Sequence, residues 1–447
     1  MRIVHLGLGA FHRAHQAWYT ESCTDGEDWG IAAFTGRSAT AALELQAQAG
    51  VYTVLERGPV DRLHLVGRIS RALDGARVGE LATCIAAPDT SLVTLTVTEA
   101  GYRLTPEGMP DRDDEAMAHD ITWLQSNLAA SRMEFEPGPR TPLARLLAGL
   151  ESRRRIGADP IAIVPCDNMP ENARLIRTGV RALAEYGSPD LADYLASRVT
   201  FVSTSVDRIT PGVSADDIAE VEHLAGYRDG SPVVTEPFHD WVLEGEFPAG
   251  RPHWESAGAR FVSDIEPFER RKLWLLNGAH TLLAYAGTAR GHTTVAEAIA
   301  DQDLRGWIED FWDEAAAHLD GEGLELDDYR AALLERFANP KIRHQLDQIG
   351  VDGVTKLRVR IVPIVRAERR RGRAGEGAAR VLAAWSAAAR DRRLPADRYS
   401  ADVEGASARS GVGALLRVLD PQLADDAQLV RLVEGLARGL EVSSAAR

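Results

Sequence analysis

The opening segment, Arg2-Ile-Val-His-Leu-Gly7-Leu-Gly9-Ala-Phe-His12-Arg-Ala-His15, reads as a short apolar strand that runs into a glycine turn and then a helix. A buried strand followed at once by a helix is the unit from which parallel sheets are wound, so this stretch constrains the fold more than any other. Gly7 permits a tight turn and Gly9 lets backbone approach a pyrophosphate. The helix start adds unpaired N–H groups and a positive dipole end. His12 stands where the G-x-G-x-x-G pattern has its third glycine, so the fingerprint is truncated and draws weight from the strands behind it. His12 and His15 are three apart, but no third ligand at suitable spacing accompanies them, and a metal is not expected.

Downstream the pattern stays βα-like. Ile31 to Thr35 and His64 to Val66 are short apolar strands, and Ser91 to Glu99 is a longer β-branched one, with alanine-rich helical segments between them. Pro160 to Asn168 and Val199 to Pro211 are strands that end in polar residues. Asp167, Asn168 and Asp207 at such ends would face the ligand crevice of an open parallel sheet, but strand ends also favour these types as turn formers, so the residues alone leave both readings open. From about residue 264 the character turns helical, with Phe268 to Ala286, Thr294 to Leu319 and Leu326 to Arg336 as the first segments. The expected architecture is an α/β Rossmann-type domain with a parallel-type sheet at 1–262, binding a dinucleotide, and a mostly α-helical substrate and catalytic domain at 263–447. The last residues, Glu441 to Arg447, are expected to fray.

Composition narrows the partners. The net charge of −15 disfavours binding to a phosphate backbone, so no nucleic acid is expected. The one basic run, Arg366 to Arg373, reads as a solvated loop. Cys23, Cys84 and Cys166 lack CxxC spacing, which points away from disulfides and a cysteine zinc site and towards a reducing cytoplasm. No apolar run reaches about eighteen residues and the chain opens on a strand, so neither a membrane span nor a leader is expected. Monomer and dimer stay open.

Lysine occurs three times, against forty-eight arginines, and one of the three is Lys272 in Lys272-Leu-Trp-Leu-Leu-Asn277-Gly-Ala-His280. Arginine cannot give up its proton near neutral pH, whereas a partly buried lysine can have its pKa lowered until it acts as a base. On an α-helix Lys272, Asn277 and His280 fall within an arc of about 140°. A base, an amide donor and an imidazole then share one side. For an alcohol substrate the lysine takes the hydroxyl proton, the amide stabilises the oxyanion and the histidine orients hydroxyls.

These residues carry a resemblance. The opening Ile-Val-His-Leu-Gly-Leu-Gly-Ala-Phe-His-Arg-Ala-His, Leu95 to Tyr102, Cys166-Asp-Asn168, Val206 to Pro211, Glu236-Pro-Phe-His-Asp-Trp-Val and Lys272 to His280 together resemble, in order and over nearly the whole chain, the mannitol dehydrogenase family of long-chain polyol dehydrogenases, which also holds fructuronate reductases. The resemblance implies a metal-independent, NAD(P)-dependent enzyme that interconverts the C2 alcohol of a six-carbon polyol or aldonate with the 2-ketose. It implies Lys272 as general base, Asn168 and Asn277 as oxyanion-holding amides, His280 as a substrate partner and Asp207 as an acid tuning the lysine. The cofactor would be held by Gly7, Gly9, Ala10, Phe11, Arg37, Thr98 and Glu99. Lys356 falls where the family has a lysine at the substrate end. The stretch Phe337 to Asp352 looks more like the fructuronate reductases, and Arg343, His344, Lys356 and Arg358 would suit a carboxylate or equally form a basic helix face.

Two departures stand out. The reading Thr35-Gly-Arg37-Ser38-Ala-Thr40 lacks the acid that family members preferring NAD place beyond the second strand, and Arg37 with Ser38 suits a 2′-phosphate. The family also has an arginine near this point in NAD users, so the expectation is NAD with NADP as alternative. The C-terminal part is shorter than usual. A phosphorylated polyol as substrate, as in mannitol-1-phosphate 5-dehydrogenases, and a non-catalytic dinucleotide sensor are the remaining alternatives.

Overall fold

The computed structural model describes residues 1–187, 189–408 and 411–445, with side chains to Leu440, and divides into two compact units, Met1–Ile265 and Glu266–Arg447. Twelve strands lie among the described residues of the first unit. In chain order they are β1 Ile3–Leu6, β2 Ile31–Phe34, β3 Tyr52–Glu56, β4 Arg62–Val66, β5 Ile69–Leu73, β6 Leu92–Leu95, β7 Ile161–Pro165, β8 Val199–Phe201, β9 Ser203–Asp207, β10 Val233–Thr235, β11 Asp240–Glu244 and β12 Arg260–Phe261.

The principal sheet runs β5-β2-β1-β6-β7-β8, every pair parallel. Its strands are apolar throughout because both faces are covered. Val4, Leu6, Ala32, Phe34, Val93 and Leu95 enter one core, which the helices Val78–Ala86 and Pro142–Ile156 complete. Ile3, Ile31, Ala33 and Leu92 enter the other, with Ala17, Trp18 and Tyr19 of the helix Gln16–Ser22. This alternation is the period-two geometry of a strand, and burial on both sides is the mark of a parallel sheet. The strand order reverses beside β1, between β2 on one side and β6 on the other. That is a topological switch point, the position where open sheets of this kind bind ligands.

Strand β6 stops four residues short of the predicted end because Thr96 leaves the ladder. Its N–H bonds the Leu6 carbonyl (2.9 Å) and its hydroxyl the Gly7 carbonyl (2.8 Å). Two three-stranded sheets, β10-β3-β4 and β12-β11-β9, were not expected, apart from the segments His64 to Val66 and Val199 to Pro211. The antiparallel pairing of β9 and β11 sets Asp207 opposite Asp240.

The second unit is built from helices. The predicted segment Thr294 to Leu319 divides into Val295–Ala300 and Gln302–Ala316, because Asp301 caps the second helix through the Asp303 N–H (3.0 Å). Glu376–Arg390 runs through the core with Val381, Leu382 and Trp385 fully buried. The basic run is not a loop. Arg366 to Arg370 form the end of the helix Val362–Arg370, and Arg366, Arg369 and Arg373 pair with Asp420, Asp426 and Glu368. The chain end expected to fray falls in the helix Ala427–Ala445 and, for Ala446 and Arg447, outside the described residues.

Candidate active site

In the first unit the glycine turn after β1 is fastened to β2, since the N–H groups of Gly7 and Leu8 both bond the Phe34 carbonyl (2.8 Å each). Gly7 has φ +108°, and a Cβ there would stand 2.1 Å from the Thr96 carbonyl oxygen, so no other residue fits. Gly9 differs. A Cβ at Gly9 would meet only the Gly7 oxygen at 3.6 Å, so the protein itself imposes no need for glycine there. His12, in place of the third glycine, packs its ring on His5 with centroids 3.3 Å apart and planes within 9°. Burial drives both imidazoles well below their usual pKa, His5 to about 3. Two neutral rings stack where two cations would repel. His15 bonds Gln16 (3.0 Å) and the Asp240 carbonyl (3.3 Å), so both histidines serve the packing beneath the turn. Among the described residues no group of three or more His, Cys, Asp or Glu side chains is placed to hold a metal ion.

A cleft of about 490 Å³ opens at the switch point. Gly7, Leu8, Thr35, Gly36, Thr96 and Thr98 line it together with four arginines, Arg37, Arg103, Arg140 and Arg145, and no carboxylate. In a chain of net charge −15, that lining suits a polyanion such as a dinucleotide pyrophosphate. Arg145 is fixed by the Pro139 (3.1 Å) and Gly36 (3.4 Å) carbonyls, and Arg103 pairs with Asp114 (3.0 Å). Arg37 and Arg140 are exposed on the rim. Of the residues expected to hold a cofactor, Gly7, Arg37 and Thr98 line the cleft; Gly9, Ala10, Phe11 and Glu99 do not. Phe11 instead stacks on His15 (5.0 Å), and Glu99 is exposed. Arg103, Arg140, Arg145 and Thr96 went unpredicted. The only sequence signal near them was Thr141-Pro142, a cap and first turn that open the helix Pro142–Ile156.

At the end of β7, Asp167 is buried and accepts hydrogen bonds from the Tyr102 hydroxyl (2.7 Å) and the Met169 N–H (3.2 Å). Burial raises its pKa to about 6, against the lowering effect of these bonds. Its neighbour Asn168 is exposed, and Asp207 ends β9 half-buried beside Arg208.

In the second unit Lys272, Asn277 and His280 lie on one helix, but that helix is not a plain α-helix. Glu266–Arg271 is α-helical, Lys272–Gly278 is π-helical, Ala279–Leu282 is α-helical and Leu283–Gly287 is π-helical again. A π turn closes between i and i+5, so Asn277 stands one turn above Lys272 and not at the wide angle that α spacing implies. Lys272 and Asn277 are half-buried and His280 is buried. The His280 ring packs on Phe337 and edge-on to His344 (centroids 4.8 Å in both cases). Burial, with His344, Arg336 and Arg360 nearby, holds its pKa well below the usual value, so the imidazole is neutral and offers one donor and one acceptor. The small side of Gly278 admits Phe311, whose ring tip lies 2.6 Å from where a Cβ would be.

Lys356, on the helix Gly353–Arg360, donates to the Ile349 carbonyl (3.0 Å), and burial lowers its pKa. Arg343 is exposed. Arg358 caps the helix Val412–Leu419 through the carbonyls of Val418 (2.6 Å) and Leu419 (3.1 Å).

Family models match both units: the mannitol dehydrogenase Rossmann domain over residues 1–256 and the mannitol dehydrogenase C-terminal domain over residues 264–402. The chain belongs to the mannitol dehydrogenase family of oxidoreductases. It is 33% identical to the D-mannonate oxidoreductase of Escherichia coli (strain K12), over 98% of this chain and 86% of that one. Its fold resembles a substrate-free D-sorbitol dehydrogenase, with TM-score 0.89 and 27% identity, over 100% of this chain and 95% of that one. It also resembles the Pseudomonas fluorescens mannitol 2-dehydrogenase solved as a ternary complex with NAD and D-mannitol, with TM-score 0.78 and 30% identity, over 100% and 94%. Among the described residues no helix is long and apolar enough to cross a membrane.

Proposed function

We propose that this chain catalyses reversible hydride transfer between a nicotinamide dinucleotide and C2 of a six-carbon open-chain polyol or aldonate, giving the 2-ketose. The carrying observation is the π turn that stacks Asn277 over Lys272, followed on the same helix by a neutral, buried His280. The residues of the cleft fit the dinucleotide: an obligatory glycine turn at Gly7 and four guanidinium groups. Bound there, the nicotinamide supplies the hydride acceptor. Gly7 and Thr98 would hold it, with Arg37 at the ribose end. NAD leads on the likeness to the NAD-bound mannitol 2-dehydrogenase, while the cleft without acids keeps NADP open.

The protein groups then have separable tasks. Lys272 accepts the hydroxyl proton, Asn277 donates to the oxygen as charge develops, and His280 bonds a flanking hydroxyl and fixes which carbon reacts. For Asn168 and Asp207 the support for an oxyanion role and a lysine-tuning role is the family resemblance of their motifs. Within the substrate class we place sugar acids first. The D-mannonate oxidoreductase relative matches over almost the whole chain, and Lys356, His344 and the exposed Arg343 supply cations and a donor for a carboxylate. Initial rates on fructose, fructuronate, tagaturonate and fructose 6-phosphate with NADH and NADPH test this reading. Fructuronate or tagaturonate should exceed fructose in kcat/KM by tenfold or more, on the order of one charge-assisted contact. Faster turnover of fructose or its phosphate would refute the acid preference.

A further inference from the structure

We propose that Arg360 is a positioning residue for catalysis: its half-buried guanidinium, with the Thr281 hydroxyl, clamps the π turn that presents Asn277 above Lys272. The proposal rests on the catalytic reading of that helix given above. A π turn is a rare departure from the α-helix and needs support from outside its own backbone. Here the support is visible. The Thr281 hydroxyl donates to the Asn277 carbonyl (2.8 Å), Arg360 Nη1 donates to the same carbonyl (3.3 Å) and to the Thr281 hydroxyl (3.1 Å), and Trp312 Nε1 donates to the Leu275 carbonyl (2.8 Å). Arg360, Thr281 and Asn277 thus close a ring of hydrogen bonds. Arg360 ends the helix Gly353–Arg360, and the following Ile361 lies 3.8 Å from the Cβ position of Gly278, so the two helices touch at this turn.

The charge itself needs a reason. Among the described residues no carboxylate pairs with Arg360, its Nε is buried without a hydrogen-bond partner, and burial lowers its pKa to about 10. A half-buried guanidinium with a buried, unpartnered Nε and no acid beside it carries a desolvation cost that a neutral side chain would avoid. A cation at this position does two things that a neutral donor does not. It bonds the Asn277 carbonyl with charge-assisted strength, and it disfavours protonation of His280. Both act on the groups assigned to substrate, and Arg360 itself touches neither substrate nor cofactor in this scheme.

The test compares Arg360→Gln, Arg360→Lys and Thr281→Val, each alone and on an Asn277→Ala background. The readouts are kcat and KM on the best sugar of the panel, with NADH binding and thermal melting as checks on folding. Arg360→Gln should lower kcat about 10- to 100-fold and Thr281→Val about 3- to 10-fold, with KM within about threefold of wild type. Arg360→Lys should recover part of the loss. On the Asn277→Ala background Arg360→Gln should add less than about threefold, because both changes remove the same presentation. A full additional loss on that background points to general damage and overturns the clamp. So does an impaired Asn277→Ala beside unimpaired Arg360→Gln and Thr281→Val. Wild-type turnover in Asn277→Ala removes the catalytic reading of that residue, and the clamp with it. If Arg360→Gln does not fold, Thr281→Val, which keeps shape and loses only the hydroxyl, decides the matter.

Discussion

Replacing Asp167 by asparagine should stabilise the protein at neutral pH and change it little near pH 4. The carboxyl is only 7% exposed, and Glu99 adds to the effect of burial in favouring its neutral form. The Tyr102 and Met169 bonds oppose this without cancelling it, and the pKa rises from 3.8 to about 6. The folded state therefore binds this proton more tightly than the unfolded chain does. The stability it lends is complete below pH 3.8 and is lost as the pH climbs through 6. At about 1.4 kcal/mol per pKa unit, the interval amounts to about 3 kcal/mol. Asparagine has the same shape and no titration. Its oxygen can accept from the Met169 N–H while its NH₂ donates to the Tyr102 oxygen, which has lone pairs to receive it. The unfolding free energies of variant and wild type, measured in urea at half-unit steps from pH 4 to 7.5, should diverge by about 3 kcal/mol in favour of the variant. Other acids titrate alike in both proteins and cancel in the difference. A gap that does not vary with pH, or a variant less stable at pH 7, would refute the argument.

Lys272→Arg keeps the charge but should lower kcat by about 10²-fold or more across pH 7–10 with NADH binding intact, since general-base catalysis contributes about 10²–10⁴-fold; half of wild-type turnover would end the assignment. Arg37→Ala and Arg140→Ala should each weaken NADP more than NAD, by about 10-fold or more, if these rim arginines meet a 2′-phosphate, as fluorescence titration with both cofactors would show. Equal losses would make them general ribose or packing contacts. Gly278→Ala gains about 1 kcal/mol of helix propensity and forces the buried Phe311 ring to move at a cost of about 1–3 kcal/mol, so a net lowering of the melting temperature is expected; an unchanged or higher value would show that the ring yields freely.

The parallel sheet was legible because both faces of its strands are buried, which leaves continuous apolar runs such as Ile3–Leu6 and Ile161–Pro165. The smaller sheets were not. Tyr52–Glu56 and Asp240–Glu244 are five-residue stretches in which strand and helix patterns are hard to tell apart, and their pairing with Val233–Thr235 and Ser203–Asp207 is decided at long range. The basic run was misread for a related reason. Its repulsion as a sequence is relieved by Asp420 and Asp426, fifty or more residues away, and with those partners a helix is stable where a solvated loop was expected.

The candidate site divides along a different line. Lys272 drew notice because lysine is scarce in this chain, and Asn277 and His280 followed from its helix. Arg140, Arg145 and Arg360 drew none, because one arginine among forty-eight is silent as a letter. What separates these arginines is their partners. Arg366, Arg369 and Arg373 each face a carboxylate, and Arg358 closes a helix end, so their charges are used where they stand. Arg360 has no acid among the described residues and spends its donors on the backbone and side chain of the helix that carries Lys272. Even the π turn has its cause outside its own sequence, in donors brought by the helices Gln302–Ala316 and Gly353–Arg360. In a chain that writes nearly every positive charge as arginine, residue type points to function only where the rare alternative is used. Elsewhere the pointer is what each guanidinium bonds to, as Arg360 bonds the Asn277 carbonyl, and that can be read only from the fold.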